Sequence, residues 1–151
     1  VVLDSPEGTY VTDPDKADLD GAGGTTTYTL IPVRAGRSIL VFRYSRPWEG
    51  AAIDRIVLLA EADEQLNRTV TDVSESGVYE GTVVSVNRAE RTAELQTGAE
   101  GETIIAAFGE GMELPAKKEQ VTIYTDGIMT MSLPAMVSAL AWEAVPGENA
   151  R

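Results

Sequence analysis

The chain of 151 residues contains no cysteine and no histidine. Without cysteine there is no disulfide framework, no thiolate nucleophile and no zinc site of the usual Cys/His kind. Without histidine, imidazole acid–base chemistry and Ser-His-Asp triads are excluded. Any catalysis would fall to carboxylates, lysine, tyrosine or a bound metal, and no two carboxylates stand out as an acid–base couple. The composition argues against an enzyme, and no cofactor is expected. Basic residues are scarce as well: 12 Lys and Arg face 24 Asp and Glu, for a net charge of −12. Nucleic-acid binding needs a basic footprint, and here only Lys117 and Lys118 are adjacent, so no nucleic-acid partner is expected. The acidic surface reads as a solubility device. No run approaches the ~20 apolar residues of a membrane span.

What is present is a succession of short β patterns. Hydrophobic residues make up 43% of the chain, enough for a packed core. Val1, Val2 and Leu3 open as a strand, residues 4–8 read as a turn, and residues 9–12 as another strand. Asp13 followed by Pro14 has the form of a capped helical turn. Residues 26–33 are rich in β-branched side chains, with Tyr28 and Leu30 on one face. In residues 37–45, Leu40, Phe42 and Tyr44 share one face while Ile39 and Val41 share the other. Residues 52–59 continue the alternation. This is the pattern of antiparallel sandwich strands.

Two loops punctuate that pattern. The first is Gly21, Ala22, Gly23, Gly24 and Thr25; the second is Arg46, Pro47, Trp48, Glu49 and Gly50. Between them lie two strand-like runs of matched length that turn at residues 34–36. An up-and-down pair of strands returns the chain to the end it left. The loops are then expected roughly 5 Å apart if the strands pair, or roughly 10 Å apart across a sandwich. Glycines at 21, 23 and 24 permit positive φ and close approach of another backbone. Pro47 stiffens its loop, and Trp48 is a large amphipathic anchor of the kind enriched at interface hot spots. Taken singly, the glycines read as a tight turn, whereas a tryptophan between proline and glutamate at a strand end is less often a cap on the core than a surface residue. In combination they read as a protein-binding edge, with Arg46 and Glu49 as its polar rim.

At these residues the chain resembles the chagasin family of inhibitors of papain-like cysteine proteases. The resemblance rests on the order and spacing of GAGGT, an alternating strand, the Ala35-Gly36 turn, a strand ending in Tyr44, and RPWEG. It covers roughly residues 1–62. It implies an immunoglobulin-like β-sandwich and a papain-like protease as partner, blocked by loops that enter its cleft. By this resemblance Gly21, Ala22, Gly23, Gly24 and Thr25 line one side of the cleft. Arg46, Pro47, Trp48 and Glu49 line the other. The family also carries an NPTTG-like loop upstream, and no such motif occurs in this chain. A sandwich of this type needs about seven strands, and residues 1–59 offer about five. An upstream segment supplying the absent strands and loop is therefore expected, with strand exchange into a homo-oligomer as the alternative rescue. An extracytoplasmic place, secreted or anchored at the cell surface, follows from the resemblance alone.

Residues 63–76 are polar and charged and read as a linker; the tripeptide Asn67-Arg68-Thr69 within them is a sequon of the kind that arises by chance. A fresh β pattern begins at Val78. Strands are expected over 79–86, 92–97, 103–108, 120–124 and 136–145, with turns at 87–90, 98–101 and 126–127. Five short strands with glycine-rich corners predict a small closed barrel of OB or SH3-like type over 77–147, with Trp142 in its core. Residues 121–139 also resemble a small OB-like module of bacterial exported proteins. Residues 1–70 carry 11 acids and 7 bases, net −4, whereas residues 71–151 carry 13 and 5, net −8, which fits separate modules. Asp13, Asp15, Asp18 and Asp20 lack the glycine and glutamate spacing of a calcium loop and read as solvated surface. The expectation is an all-β protein, with a partial immunoglobulin-like sandwich at 1–62, a linker at 63–76 and a barrel at 77–147. Its expected function is reversible inhibition of a papain-like protease. The alternative is a non-inhibitory adhesion or scaffold module of a cell-surface protein.

Overall fold

Short runs of β-branched residues broken by Gly, Pro and Asn corners leave little sequence in which a helix could form. A computed structural model of the protein describes residues 2–3, 8–16, 23–46, 48, 52, 54–98 and 100–145. Among these the regular structure is strand, apart from one 3₁₀ turn at Pro14–Lys16. The chain is all-β. Its contacts divide it into two compact units, Val1–Arg37 with Glu61–Thr69, and Ser38–Ala60 with Val70–Arg151.

In the first unit, β1 (Val2–Leu3) is paired antiparallel with β4 (Leu30–Ile31), and β2 (Thr9–Thr12) with β3 (Gly24–Thr27). The 3₁₀ turn follows Asp13, whose carboxylate accepts from the Asp15 N–H at 3.4 Å, so the expected helical turn is present. The run at 26–33 is not one strand. It starts earlier, stops at Thr27, and resumes for two residues in a different sheet. Three consecutive threonines give β3 no apolar face, and all four of its residues are exposed. Pro32 then removes the donor that would prolong β4.

Three longer strands form a second kind of sheet, in the order β5 (Gly36–Tyr44), β6 (Asp54–Ala62), β7 (Arg68–Asp72). The expected linker is therefore a hairpin and not a free connection. Its turn is built by Asp63, whose Oδ1 accepts from the backbone N–H of Gln65 at 2.9 Å and of Asn67 at 2.8 Å. The Asn67 side-chain amide donates to Oδ2 at 2.9 Å and is the main reason the Asp63 carboxyl lies below its ordinary value. Leu66 takes the positive φ the turn requires. Polar composition here marks a side-chain-capped turn, which a reading by composition alone takes for a linker.

In the second unit, six strands form one sheet. Their order is β12 (Ala135–Ala139), β10 (Glu102–Phe108), β9 (Thr92–Thr97), β8 (Val78–Asn87), β11 (Gln120–Tyr124), β13 (Ala141–Ala144). The two edge strands, β12 and β13, are separated in the chain by Leu140 alone. Five inter-strand spacings would put flat edges roughly 24 Å apart. The two peptide links from Ala139 to Ala141 reach at most about 7 Å. The sheet must therefore curl into a half-barrel, with its two edge strands brought together where Leu140 joins them.

Strands β8 to β11 follow the expected positions closely, but the fifth expected strand, 136–145, is two strands. Alternation slips by one residue at Leu140: Val137 and Ala139 point into the barrel, and the next residue to do so is Trp142. Val83, Leu95, Ile104, Phe108, Val121 and Ile123 fill that interior. Trp142 packs against it, as its apolar setting predicts, and its indole N–H donates to the Glu113 carbonyl at 2.8 Å.

A second cluster lies within the same unit. Val57, Leu59, Val73 and Tyr124 are buried together, with Ile39, Val41, Val78, Leu140 and Ala141 packed against them. Val73 reinforces the junction by donating its N–H to the Val57 carbonyl at 2.9 Å. The barrel thus shares a core with β5 and β6, and the boundary expected at 63–76 does not separate them. With Trp48 replaced by Phe, Trp142 becomes the sole tryptophan. In that background Leu59→Ala is expected to lower the unfolding free energy reported by Trp142 by about 2–5 kcal/mol. A urea titration followed by fluorescence checks this; an unchanged midpoint would mean that the barrel folds without the β6 cluster.

Candidate functional site

The glycine-rich segment lies in the first unit, where Gly23, Gly24 and Thr25 are described; Gly21 and Ala22 lie outside the described residues. Gly24 and Thr25 begin β3, opposite Thr12 and Val11. A Cβ on Gly24 would stand 2.4 Å from the Tyr10 ring and 2.6 Å from the Val11 carbonyl, so the aromatic ring occupies the place of a side chain. Gly23 is different. Among the described residues nothing lies within 4 Å of where its Cβ would be, and its carbonyl accepts from the Asp13 N–H at 3.0 Å. Neither glycine uses the positive φ that its lack of a side chain permits. Gly24 is needed for close packing in a regular strand, and Gly23 leaves backbone open to approach.

The second segment follows β5 in the second unit. Arg46 and Trp48 are exposed, Trp48 at 78%, while Pro47 and Glu49 lie outside the described residues. At that exposure Trp48 stands on the surface and is not packed into a core. The strands flanking residues 34–36 do not pair with each other, since β4 joins β1 and β5 joins β6.

Sequence reading missed a polar cluster on the second unit. The Tyr124 hydroxyl donates to a Glu143 carboxylate oxygen at 2.6 Å. Arg43 donates to the Tyr124 oxygen at 3.2 Å and forms an ion pair with Glu143. Arg55 and Glu80 form a second pair at 3.0 Å. The two arginines and two glutamates, with Ala52, Thr122, Ala144 and Val145, line a cleft of about 550 Å³. Partners 81 and 100 residues apart leave no local signal, and only the outward positions of Arg43 and Glu143 on their strands hint at them. The cluster holds no nucleophile, and its cations are matched by carboxylates. Its chemistry is that of a brace between strands.

Burial, then the hydrogen bond and negative charge of Glu143, push the Tyr124 phenol above its ordinary value against the opposing pull of Arg43 and Arg55. A group raised in the folded state contributes stability that is complete below its unfolded pKa and is lost as pH rises through the folded one. Alkaline destabilisation is therefore expected above about pH 10. Tyr124→Phe should flatten that part of a melting-temperature profile, and an identical profile in the variant would contradict the assignment.

Among the described residues no three acidic side chains converge to hold a metal ion. Asp18 and Asp20 lie outside them. No helix among them is long and apolar enough to cross a membrane.

The family model for the chagasin family peptidase inhibitor I42 matches residues 2–59. Both candidate segments fall inside the matched stretch, and the barrel falls outside it. No curated protein and no solved structure matches the chain. The chagasin-type stretch takes in β1 to β5 and the first six residues of β6. Its two glycines can be separated by substitution. Gly24→Ala is expected to cost about 1–3 kcal/mol of stability through collision with Tyr10 and Val11, whereas Gly23→Ala should be nearly neutral. Thermal melts of the two variants check this, and equal losses would overturn the division of roles.

Proposed function

We propose that this protein is a reversible, non-covalent inhibitor of papain-like cysteine proteases. The observation that carries the reading is the match to a peptidase-inhibitor family over a stretch that encloses both candidate loops. Exposure of Trp48 at the end of a long strand supports it. In this reading Gly21, Ala22, Gly23, Gly24 and Thr25 offer main-chain groups to one wall of the protease cleft, as extended peptides do. Arg46, Pro47, Trp48 and Glu49 engage the other wall, with the indole as the desolvated anchor. Inhibition needs no bond-making by the inhibitor, which suits a chain without cysteine or histidine. An extracytoplasmic setting, secreted or at a bacterial cell surface, belongs to the same proposal.

A second reading is favoured by one observation. Gly24 is already accounted for by its contact with Tyr10, so part of the glycine pattern has a structural cause. On that reading the chain is a non-inhibitory adhesion or scaffold module. Inhibition of papain hydrolysing a peptide substrate distinguishes the two. The proposal expects saturable, reversible inhibition that Trp48→Ala weakens by about 2 kcal/mol, roughly 30-fold, with little change in melting temperature. Absence of inhibition by the native chain would favour the scaffold reading. A lower melting temperature with unchanged inhibition would remove Trp48 from the interface.

A further inference from the structure

With no cysteine in the chain, methionine carries all of its sulfur, and there are 4 methionines. Met129, Met131 and Met136 lie close together in the second unit, and Met112 stands apart from them. In the absence of thiols a thioether is the side chain that a peroxide oxidises most readily. The reaction needs an open path from solvent to the sulfur, so burial ranks the four.

Met112 is half-buried and packs against the core inside the curled sheet. Its backbone is held on both sides: its N–H donates to the Gly109 carbonyl at 3.3 Å, and its carbonyl accepts from the Arg91 guanidinium. The next carbonyl, that of Glu113, accepts from the Trp142 indole. A sulfoxide at Met112 would set an S–O dipole against apolar side chains where that core is pinned. Met129 lies opposite Val137 in an isolated antiparallel bridge. Met136 is fixed to Thr130 by two bonds, its N–H donating to the hydroxyl oxygen at 2.8 Å and its carbonyl accepting from the Thr130 N–H at 2.9 Å. Both side chains are partly covered, at 41% and 38% exposure. Met131 lies beyond the bridge, between Thr130 and Ser132, and its side chain is wholly in solvent at 102% exposure.

We propose that Met131 is a peroxide-oxidation site, converted to the sulfoxide ahead of the other methionines and without loss of the fold. In this step a sulfur lone pair attacks one oxygen of hydrogen peroxide, and the S–O bond forms as the O–O bond breaks. The departing hydroxide takes the proton from the transferred oxygen and leaves as water. Sulfur loses two electrons, and the peroxide gains them. Hydrogen peroxide is uncharged at neutral pH, so the net charge of −12 does not hold it off. The Met131 side chain is already in water, so its added polarity costs no desolvation. The same reagent reaching Met112 would disrupt the core, and the order of reaction therefore decides whether an oxidised molecule stays folded. The sulfoxide is enzymatically reducible, which makes the modification at Met131 reversible. None of the methionines belongs to residues 21–25 or 46–49, and the site does not depend on protease inhibition.

Timed exposure of the native chain to hydrogen peroxide, followed by tandem mass spectrometry of its peptides, reads the order. Oxygen should appear first at Met131, roughly two- to threefold faster than at Met129 or Met136 and at least roughly tenfold faster than at Met112. In guanidinium chloride, with the chain unfolded, all four should react at similar rates. The purified product with a single oxygen at Met131 should melt at the temperature of the untreated chain. It should also lose that oxygen to methionine sulfoxide reductases, one for each sulfur epimer. As a second check, Met131→Leu should remove the fastest phase of oxygen uptake and leave the other rates unchanged. First oxidation at another methionine or at Trp48 would overturn the proposal, as would the same order of rates in the unfolded chain. A lower melting temperature for the Met131 product, or a fast phase that persists in the variant, would overturn it equally.

Discussion

The one-residue link at Leu140, which forces the six-stranded sheet to curl, is the constraint on which most of the described structure depends. A single residue joins the two outermost strands of a six-stranded sheet, so the sheet has no freedom to lie flat. Leu140 also donates its N–H to the Tyr124 carbonyl at 2.8 Å, tying the link to β11. Tyr124 then turns its ring toward Val57, Leu59 and Val73 and its hydroxyl toward Glu143. The same short stretch therefore closes one core and opens onto the next. Loss of the Tyr124 ring would strip the second cluster of its largest member, a change of the kind that costs several kcal/mol in a packed core.

Much of this was legible in the residues. Strands β9 and β11 begin and end where alternation and turn signals place them, because threonine-rich, β-branched runs bounded by glycine or asparagine corners leave few alternatives. Trp142 was readable as core from its apolar neighbours, and Trp48 as surface from its place between proline and glutamate. Other features were hidden for identifiable reasons. The break at Leu140 leaves no polar or glycine signal, since a one-residue slip in an apolar run looks like continuity. The 63–67 turn looked like a linker because Asp63 and Asn67 are polar whether they cap a turn or float in solvent. The Arg43, Tyr124 and Glu143 cluster joins residues too distant in sequence for any local pattern to reveal.

The candidate binding residues illustrate the same limit. A glycine pattern signals that side chains are unwelcome without saying what excludes them. At Gly24 the cause is internal, the ring of Tyr10; at Gly23 no atom of the described residues stands in the way. Trp48 adds an independent argument, because a mostly exposed tryptophan is costly to leave in water and gains most from a desolvating partner. The family match encloses both of these positions, and the barrel lies outside it.

The central claim is that these loops occupy the cleft of a papain-like protease and cover its catalytic cysteine. Alkylation of that cysteine in papain by iodoacetamide measures this directly, because it reads access to the nucleophile and not substrate turnover. The account predicts that excess inhibitor slows alkylation in proportion to complex formed, and that the rate recovers on dilution. An alkylation rate unaffected by saturating amounts of the folded protein would contradict it.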